Sequence, residues 1–153
     1  MDKVENVLEY AERQCNENSS RLTPKRKKIL QELLKSKKAL SAYEIADLFK
    51  KNSKVSIPTM SVYRILDFLE DENLVHKLNL ANKYIACAHI TCNHSHSMPQ
   101  FLVCKECNKV SEISIDIAVI KKIKQKVEEE NFLLIKPQLE MHCICKVCDK
   151  ENY

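Results

Sequence analysis

Hydrophobic positions recur at helical spacing through the first half of the chain and in shorter, strand-like runs through the second. Val4, Val7, Leu8, Ala11 and Cys15 share one face of a helix predicted over residues 2–17, with Cys15 a small core residue on that stripe. Thr23-Pro24 reads as an N-cap followed by proline at the first helical position. The helix it starts buries Ile29, Leu30, Leu33 and Leu34. Ser41-x-x-Glu44 is a capping box opening a third helix that runs to about Lys51. After a polar turn over 52–57, Pro58 precedes a fourth helix reaching about Asp71. Its apolar stripe is Val62, Ile65, Leu66 and Leu69; Met60, Arg64 and Asp67 point the other way, with Tyr63 on the flank.

Two short strands, Leu74–Leu78 and Lys83–Cys87, are joined by the turn Asn79-Leu80-Ala81-Asn82. Helices followed by such a hairpin, with a tight loop between the third and fourth, make a helix-turn-helix with a β-wing. Beyond Cys87 the pattern changes. A His-rich loop over 88–99 leads to strands at Phe101–Val103 and Val110–Ile113, then a helix marked by Ile117, Ile120, Ile123 and Val127. Phe132–Ile135 and Gln138–Met141 read as extended, with Pro137 at an edge or break. The expected fold is α+β: a winged-helix domain over 1–83 and a small α/β domain over 84–153.

The chain has 153 residues and no glycine. Left-handed backbone positions must therefore use Asn or Asp instead, and Asn73 and Asn108 are the candidates. Net charge is +4, and all of it lies in residues 1–83, which hold 16 Lys+Arg against 12 Asp+Glu. The run from Arg21 to Lys38 has eight basic residues and one acid, Glu32. It is either a solvated helix face or a phosphate-binding patch containing Lys25 and Arg26. No apolar run approaches the ~20 residues of a membrane span. The charged start Met1-Asp2-Lys3-Val4-Glu5 has no signal-peptide core, so a cytoplasmic location is expected.

In a reducing compartment eight cysteines favour metal over disulfides. Cys104-x-x-Cys107 and Cys145-x-x-Cys148 supply two knuckles separated by 37 residues. Two sulfurs reach one ion from each knuckle, and together they complete a tetrahedral zinc site. Such a site is closed to water and should not be catalytic, and there is no His-Glu-x-x-His motif for a zinc hydrolase. His76, Cys87, His89, Cys92, His94, His96 and Glu112 remain. One thiolate with two imidazoles among them would favour zinc over harder ions. Equally, His76 can be an exposed wing residue, Cys87 core, and the His-rich loop a weak metal scavenger.

Four segments carry a resemblance: Arg21-Leu22-Thr23-Pro24-x-Arg26, Ser41-Ala42-Tyr43-Glu44, Val62-Tyr63-Arg64-x-Leu66-Asp67-Phe68-Leu69 and Val75-His76-Lys77. With the two Cys pairs, they make the chain resemble the ferric uptake regulator family of bacterial metal-dependent repressors along nearly its whole length. Ser41-Ala42-Tyr43, His76-Lys77 and Cys87 point to the zinc uptake regulator branch. The resemblance implies a homodimer that binds double-stranded operator DNA when zinc is replete and represses zinc-uptake genes. It implies no enzyme activity, no small-molecule substrate and no membrane. Two Zn2+ sites per chain are implied: a structural one on Cys104, Cys107, Cys145 and Cys148, and a regulatory one on His76, Cys87, His96 and Glu112, with His94 or His89 as alternates to His96. DNA contacts fall to Arg64, Tyr63, Tyr43, Ser61, Lys25 and Arg26. Met60-Ser61 departs from the family's usual Pro-Thr or Ala-Thr before Val-Tyr-Arg, and Asn108 replaces a usual Gly after the first knuckle. The competing readings are an iron, nickel or peroxide sensor of the same family, and a zinc-ribbon scaffold that senses nothing.

Overall fold

A computed structural model of the chain describes residues 2–91 and 99–150. It forms two compact units, Met1–Cys92 and Asn93–Tyr153. The first contains α1 (Lys3–Glu17), α2 (Pro24–Ser36), α3 (Ala42–Ser53), α4 (Thr59–Asp71), β1 (Val75–Leu78) and β2 (Lys83–Ala86). The second contains β3 (Gln100–Cys104), β4 (Val110–Ile113), α5 (Ile117–Glu129) and β5 (Glu140–Cys143). No described helix is long and apolar enough to cross a membrane.

The first unit forms for reasons visible residue by residue. Asp2 caps α1 by accepting the Val4 N–H, and Leu8, Ala11 and Cys15 are buried along the predicted stripe. Thr23 sits at the N-cap of α2, but its side chain makes no capping bond; the start is set by Pro24, whose missing N–H costs nothing there. The α3 capping box is complete: the Glu44 N–H donates to Ser41 Oγ at 3.1 Å, and the Ser41 N–H to Glu44 Oε1 at 3.4 Å. Lys83 Nζ reaches the same Glu44 oxygen at 3.1 Å, bracing the wing against the start of α3. Burial pushes the Glu44 carboxyl up, but the bonds from Lys83 and Ser41 outweigh it and hold it below its ordinary value.

Val62, Leu66 and Leu69 of α4 face the core, while Arg64 and Asp67 face out and Met60 is 65% exposed. The wing pairs β1 with β2 antiparallel, from Val75 opposite Ala86 to Leu78 opposite Lys83. Leu40 adds an isolated bridge on the other side of β2 by exchanging two backbone bonds with Tyr84, at 2.9 and 2.8 Å. The boundary expected after residue 83 falls within β2. The first unit continues past it because Cys87 N–H donates to Leu74 O at 2.9 Å and Ile90 packs into the same core.

In the second unit, β3 is central, with β4 antiparallel on one side and β5 parallel on the other. Gln100 is fully buried at its start. Its Nε2 donates to Pro137 O at 2.8 Å and its Oε1 accepts from Leu139 N at 2.6 Å. The side chain thus stands in for a peptide group beside Pro137, which has no N–H of its own. The extended segment predicted at 138–141 appears as a strand two residues later. Residues 132–135 form no strand, and Phe132, Leu133 and Ile135 are largely exposed.

Asn73, Asn82, Asn108 and Asn131 take positive φ, as the absence of glycine required for the first and third. Ser19, Lys37 and Lys54 do so too, against the expectation that Asn or Asp would serve. Lys37 and Lys54 are the left-handed C-caps of α2 and α3, where the helix end rather than side-chain preference dictates the backbone.

Candidate metal centres and nucleic-acid interface

The four thiols of the two knuckles converge. Cys104 ends β3, Cys107 lies in the turn to β4, and Cys145 and Cys148 sit on the turn after β5. Their sulfurs all lie within 4.8 Å of one another. Asn108, at φ 59°, donates its N–H to Cys104 O at 2.9 Å and closes the first knuckle. Cys148 and Asp149 N–H groups donate to Cys145 O, each at 2.9 Å, and close the second. Lys105 N–H to Cys143 O at 2.8 Å holds the two together.

The electrostatics call for a cation. Backbone N–H groups of Cys145 and Cys107 aim at Cys104 and hold its thiol down at about 6, against its burial. Hydrogen bonding to the Cys145 and Cys107 sulfurs favours the protonated form of Cys148 and pushes its thiol up to about 12. The cluster thus favours one thiolate and resists a second unless positive charge compensates it. Tetrahedral zinc with sulfurs at about 2.3 Å needs S···S separations of about 3.8 Å. Cys107 Sγ and Cys145 Sγ are 3.7 Å apart. These four residues fit a zinc ion and offer it no open position.

A second pair of donors lies in the first unit. His76 is on β1 and 8% exposed; Cys87 follows β2 and is 3% exposed. Their ligand atoms are within 4.8 Å of each other. The hairpin register makes this proximity: His76 faces Ile85, and Cys87 lies two residues on. The His89 N–H donates to Cys87 Sγ at 3.4 Å. The His89 residue is itself exposed. Glu112 is half-buried on β4, opposite Phe101 of β3, in the second unit. His94, His96 and Cys92 lie outside the described residues.

The residues that the sequence offers for DNA contact lie mainly on α3, its turn and α4. Tyr43, in the first turn of α3, is 65% exposed. Arg64 is exposed on the outer stripe of α4, while Tyr63 and Ser61 are half-buried beside it. Lys25 is exposed at the start of α2. Arg26 has structural work: its guanidinium lies over the Phe68 ring at 3.7 Å and donates from Nη1 to Arg21 O at 2.7 Å. That clamp of α2 on α4 escaped sequence reasoning, because two residues 42 positions apart give no local sign of touching. Glu32, the one acid in the basic run, is buried and accepts from Asn52 Nδ2 at 2.8 Å, so it does not dilute the surface charge.

A helix-turn-helix unit with a β-wing, together with a unit built around four thiols, defines a winged-helix protein with a metal-dependent partner domain. Residues 17–150 match the sequence pattern of the ferric uptake regulator family. The chain belongs to that family. It is 31% identical over 145 residues to the zinc uptake regulation protein of Escherichia coli (strain K12), covering 95% of this chain and 82% of that one. It is also 31% identical over 140 residues to a ferric uptake regulation protein of Synechococcus elongatus (strain ATCC 33912 / PCC 7942 / FACHB-805), covering 90% of this chain and 91% of that one. Among solved structures, a zinc uptake regulator complexed with zinc and DNA superposes with a TM-score of 0.87 at 27% identity, covering 97% of this chain and 96% of that one.

Proposed function

We propose that this protein is a zinc-responsive transcriptional repressor. It binds operator DNA as a homodimer when loaded with zinc, represses zinc-uptake genes and works in the cytoplasm. It is a transcription regulator, not an enzyme. The observation that carries the choice of metal is the buried Cys87 thiol beside the His76 imidazole. A thiolate in the sensing site favours zinc over the harder ions an iron sensor would hold.

In this reading Cys104, Cys107, Cys145 and Cys148 hold the structural zinc. His76, Cys87, Glu112 and one histidine of the 89–96 loop, His96 with His94 or His89 as alternates, hold the regulatory zinc. When bound, that ion ties its ligands into one arrangement and makes the DNA-competent form the dominant one. Arg64 reads base edges from α4 with Tyr63 alongside, and Tyr43 adds a groove contact from α3. Ser61 and Lys25 face phosphate, and Arg26, held over the Phe68 ring, positions α2 against α4 for these contacts. Domain limits at 1–83 and 84–153 belong to the same reading, with the refinement that β2 and its continuation to residue 91 stay with the DNA-binding part.

The test is zinc stoichiometry against DNA binding across a chelator series, in the parent and in Cys87→Ser. The parent should lose DNA binding as its zinc falls from two per chain to one. Cys87→Ser should stay a folded dimer with one zinc and no zinc-dependent DNA binding. If the parent binds DNA equally well at one zinc and at two, the sensing assignment fails. If iron restores DNA binding at lower free concentration than zinc, the iron-sensing reading replaces it.

A further inference from the structure

Among the described residues of the first unit, Met60 is one of four large hydrophobic side chains strongly exposed, with Tyr43, Val55 and Leu80. A single exposed apolar residue is ordinary on a protein surface. Its position is what matters. Met60 lies in the first turn of α4, one turn before Arg64, so the two side chains project from the same outer stripe. The opposite stripe, Val62, Leu66 and Leu69, is completely buried, which fixes the rotation of α4 about its axis. Met60 therefore has no alternative orientation toward the core.

A helix that enters the major groove of DNA touches base edges mainly with its N-terminal residues. The outer stripe of α4 reads Met60, Arg64, Asp67 from that end. Arg64 suits the two acceptors of guanine. Asp67, a carboxylate one turn further on, is placed where the helix leaves the bases. Met60 offers no hydrogen bond, and the one apolar group the major groove displays is the thymine methyl. Four residues of helix advance about 6 Å, close to two steps of about 3.4 Å along one DNA strand.

We propose that Met60 is a sequence-determining residue that selects thymine through its C5-methyl group, about two base pairs from the guanine read by Arg64. This rests on the proposed DNA-reading role of α4.

The test uses a pool of duplexes with a randomised core, selected on the zinc-loaded full-length protein and on Met60→Ala. Because Met60 is exposed, the variant should match the parent in thermal unfolding. The parent should enrich a thymine about two positions from a guanine; Met60→Ala should keep the guanine and lose the thymine. Replacing that thymine by uracil in the parent's selected site removes only the methyl. It should weaken the parent about fourfold, the worth of one buried methyl group, and leave Met60→Ala unchanged. Retention of the same thymine by Met60→Ala overturns the proposal, as does parent affinity that is indifferent to uracil. If neither protein enriches any sequence while both stay folded, the DNA-reading role of α4 falls and this inference with it. Loss of both guanine and thymine from Arg64→Ala alone, with Met60→Ala like the parent, overturns the inference and keeps the role.

Discussion

Replacing Cys104 with serine is expected to unfold the second unit and leave the first intact. The reason is how little core the second unit has. Among the described residues it buries four hydrophobic side chains, Phe101, Val103, Cys104 and Ile120, against twenty-two in the first unit. At about 1.5–3 kcal/mol each, Phe101, Val103 and Ile120 supply roughly 5–9 kcal/mol before conformational entropy is set against them. Phe132, Leu133 and Ile135 add little within one chain, being 71%, 75% and 88% exposed. A structural zinc in a small domain is worth about 10–16 kcal/mol at neutral pH, more than those three side chains together. Cys104 is also a sulfur favoured as thiolate, by the N–H groups of Cys145 and Cys107. A serine hydroxyl there cannot ionise at neutral pH. Hydrogen exchange followed by mass spectrometry would read the result. Amides of β3, β4 and β5 should lose protection, those of α1 to α4 should keep it, and zinc content should fall by at least one per chain. Full protection of β3 to β5 in a variant that has lost this zinc would refute the reasoning, because it would show that the apolar core suffices.

Arg64→Ala should weaken binding to a selected operator by roughly 1–3 kcal/mol and spare random DNA; equal losses on both in competition assays would remove its base-reading role. Lys54→Gly should raise the stability of the first unit by about 1 kcal/mol, since Lys54 holds φ 56° without the freedom of glycine; a lower midpoint in thermal melts would show that lysine makes a compensating contact. Glu44→Gln should lower the unfolding midpoint at neutral pH, and by progressively less as pH falls below 4.5. The Glu44 carboxyl is held below its ordinary 4.5, so its contribution is present above that value and lost as pH falls through the lower folded one; an effect that stays the same across the acid range would mean that charge plays no part.

The helices were legible because each carries a local signal that tertiary structure had no reason to override. The Ser41–Glu44 box, Pro24 at the first helical position and the Val62, Leu66, Leu69 stripe all act within one or two turns. The thiolate site was legible for the same reason: each knuckle is closed by its own backbone bonds. What failed to show was anything set at a distance. Phe132–Ile135 has the composition of a strand, but a strand needs a hydrogen-bonding neighbour, and composition does not say whether one is there. The limit of the first unit moved because Ile90 is buried, and burial of a lone isoleucine after a turn has no sequence signature. Lys37 and Lys54 carry positive φ because the chain has no glycine to place at those helix ends, so the requirement was readable and the positions were not.

Overall identity does not choose the metal, since the chain is 31% identical both to a zinc and to a ferric uptake regulation protein. Donor chemistry does. A regulator responds only if its site is partly filled at the working concentration of free ion, because occupancy shifts an equilibrium through the ratio of ligand concentration to dissociation constant. The four-thiol cluster is unsuited to that task. It presents no open position, and emptying it leaves sulfurs crowded within 4.8 Å, with Cys104 near 6 and Cys148 near 12 in conflict over charge. Its ion should leave last, and the unit should unfold when it does. The His76–Cys87 pair is different. It sits in a unit whose own core keeps it folded, so losing an ion there costs ligation and not the fold. Binding there can be weak enough to reverse, and the single thiolate still biases the site toward zinc. In the proposed function sensing falls to the site with fewer sulfurs, because metal loss there is separable from unfolding.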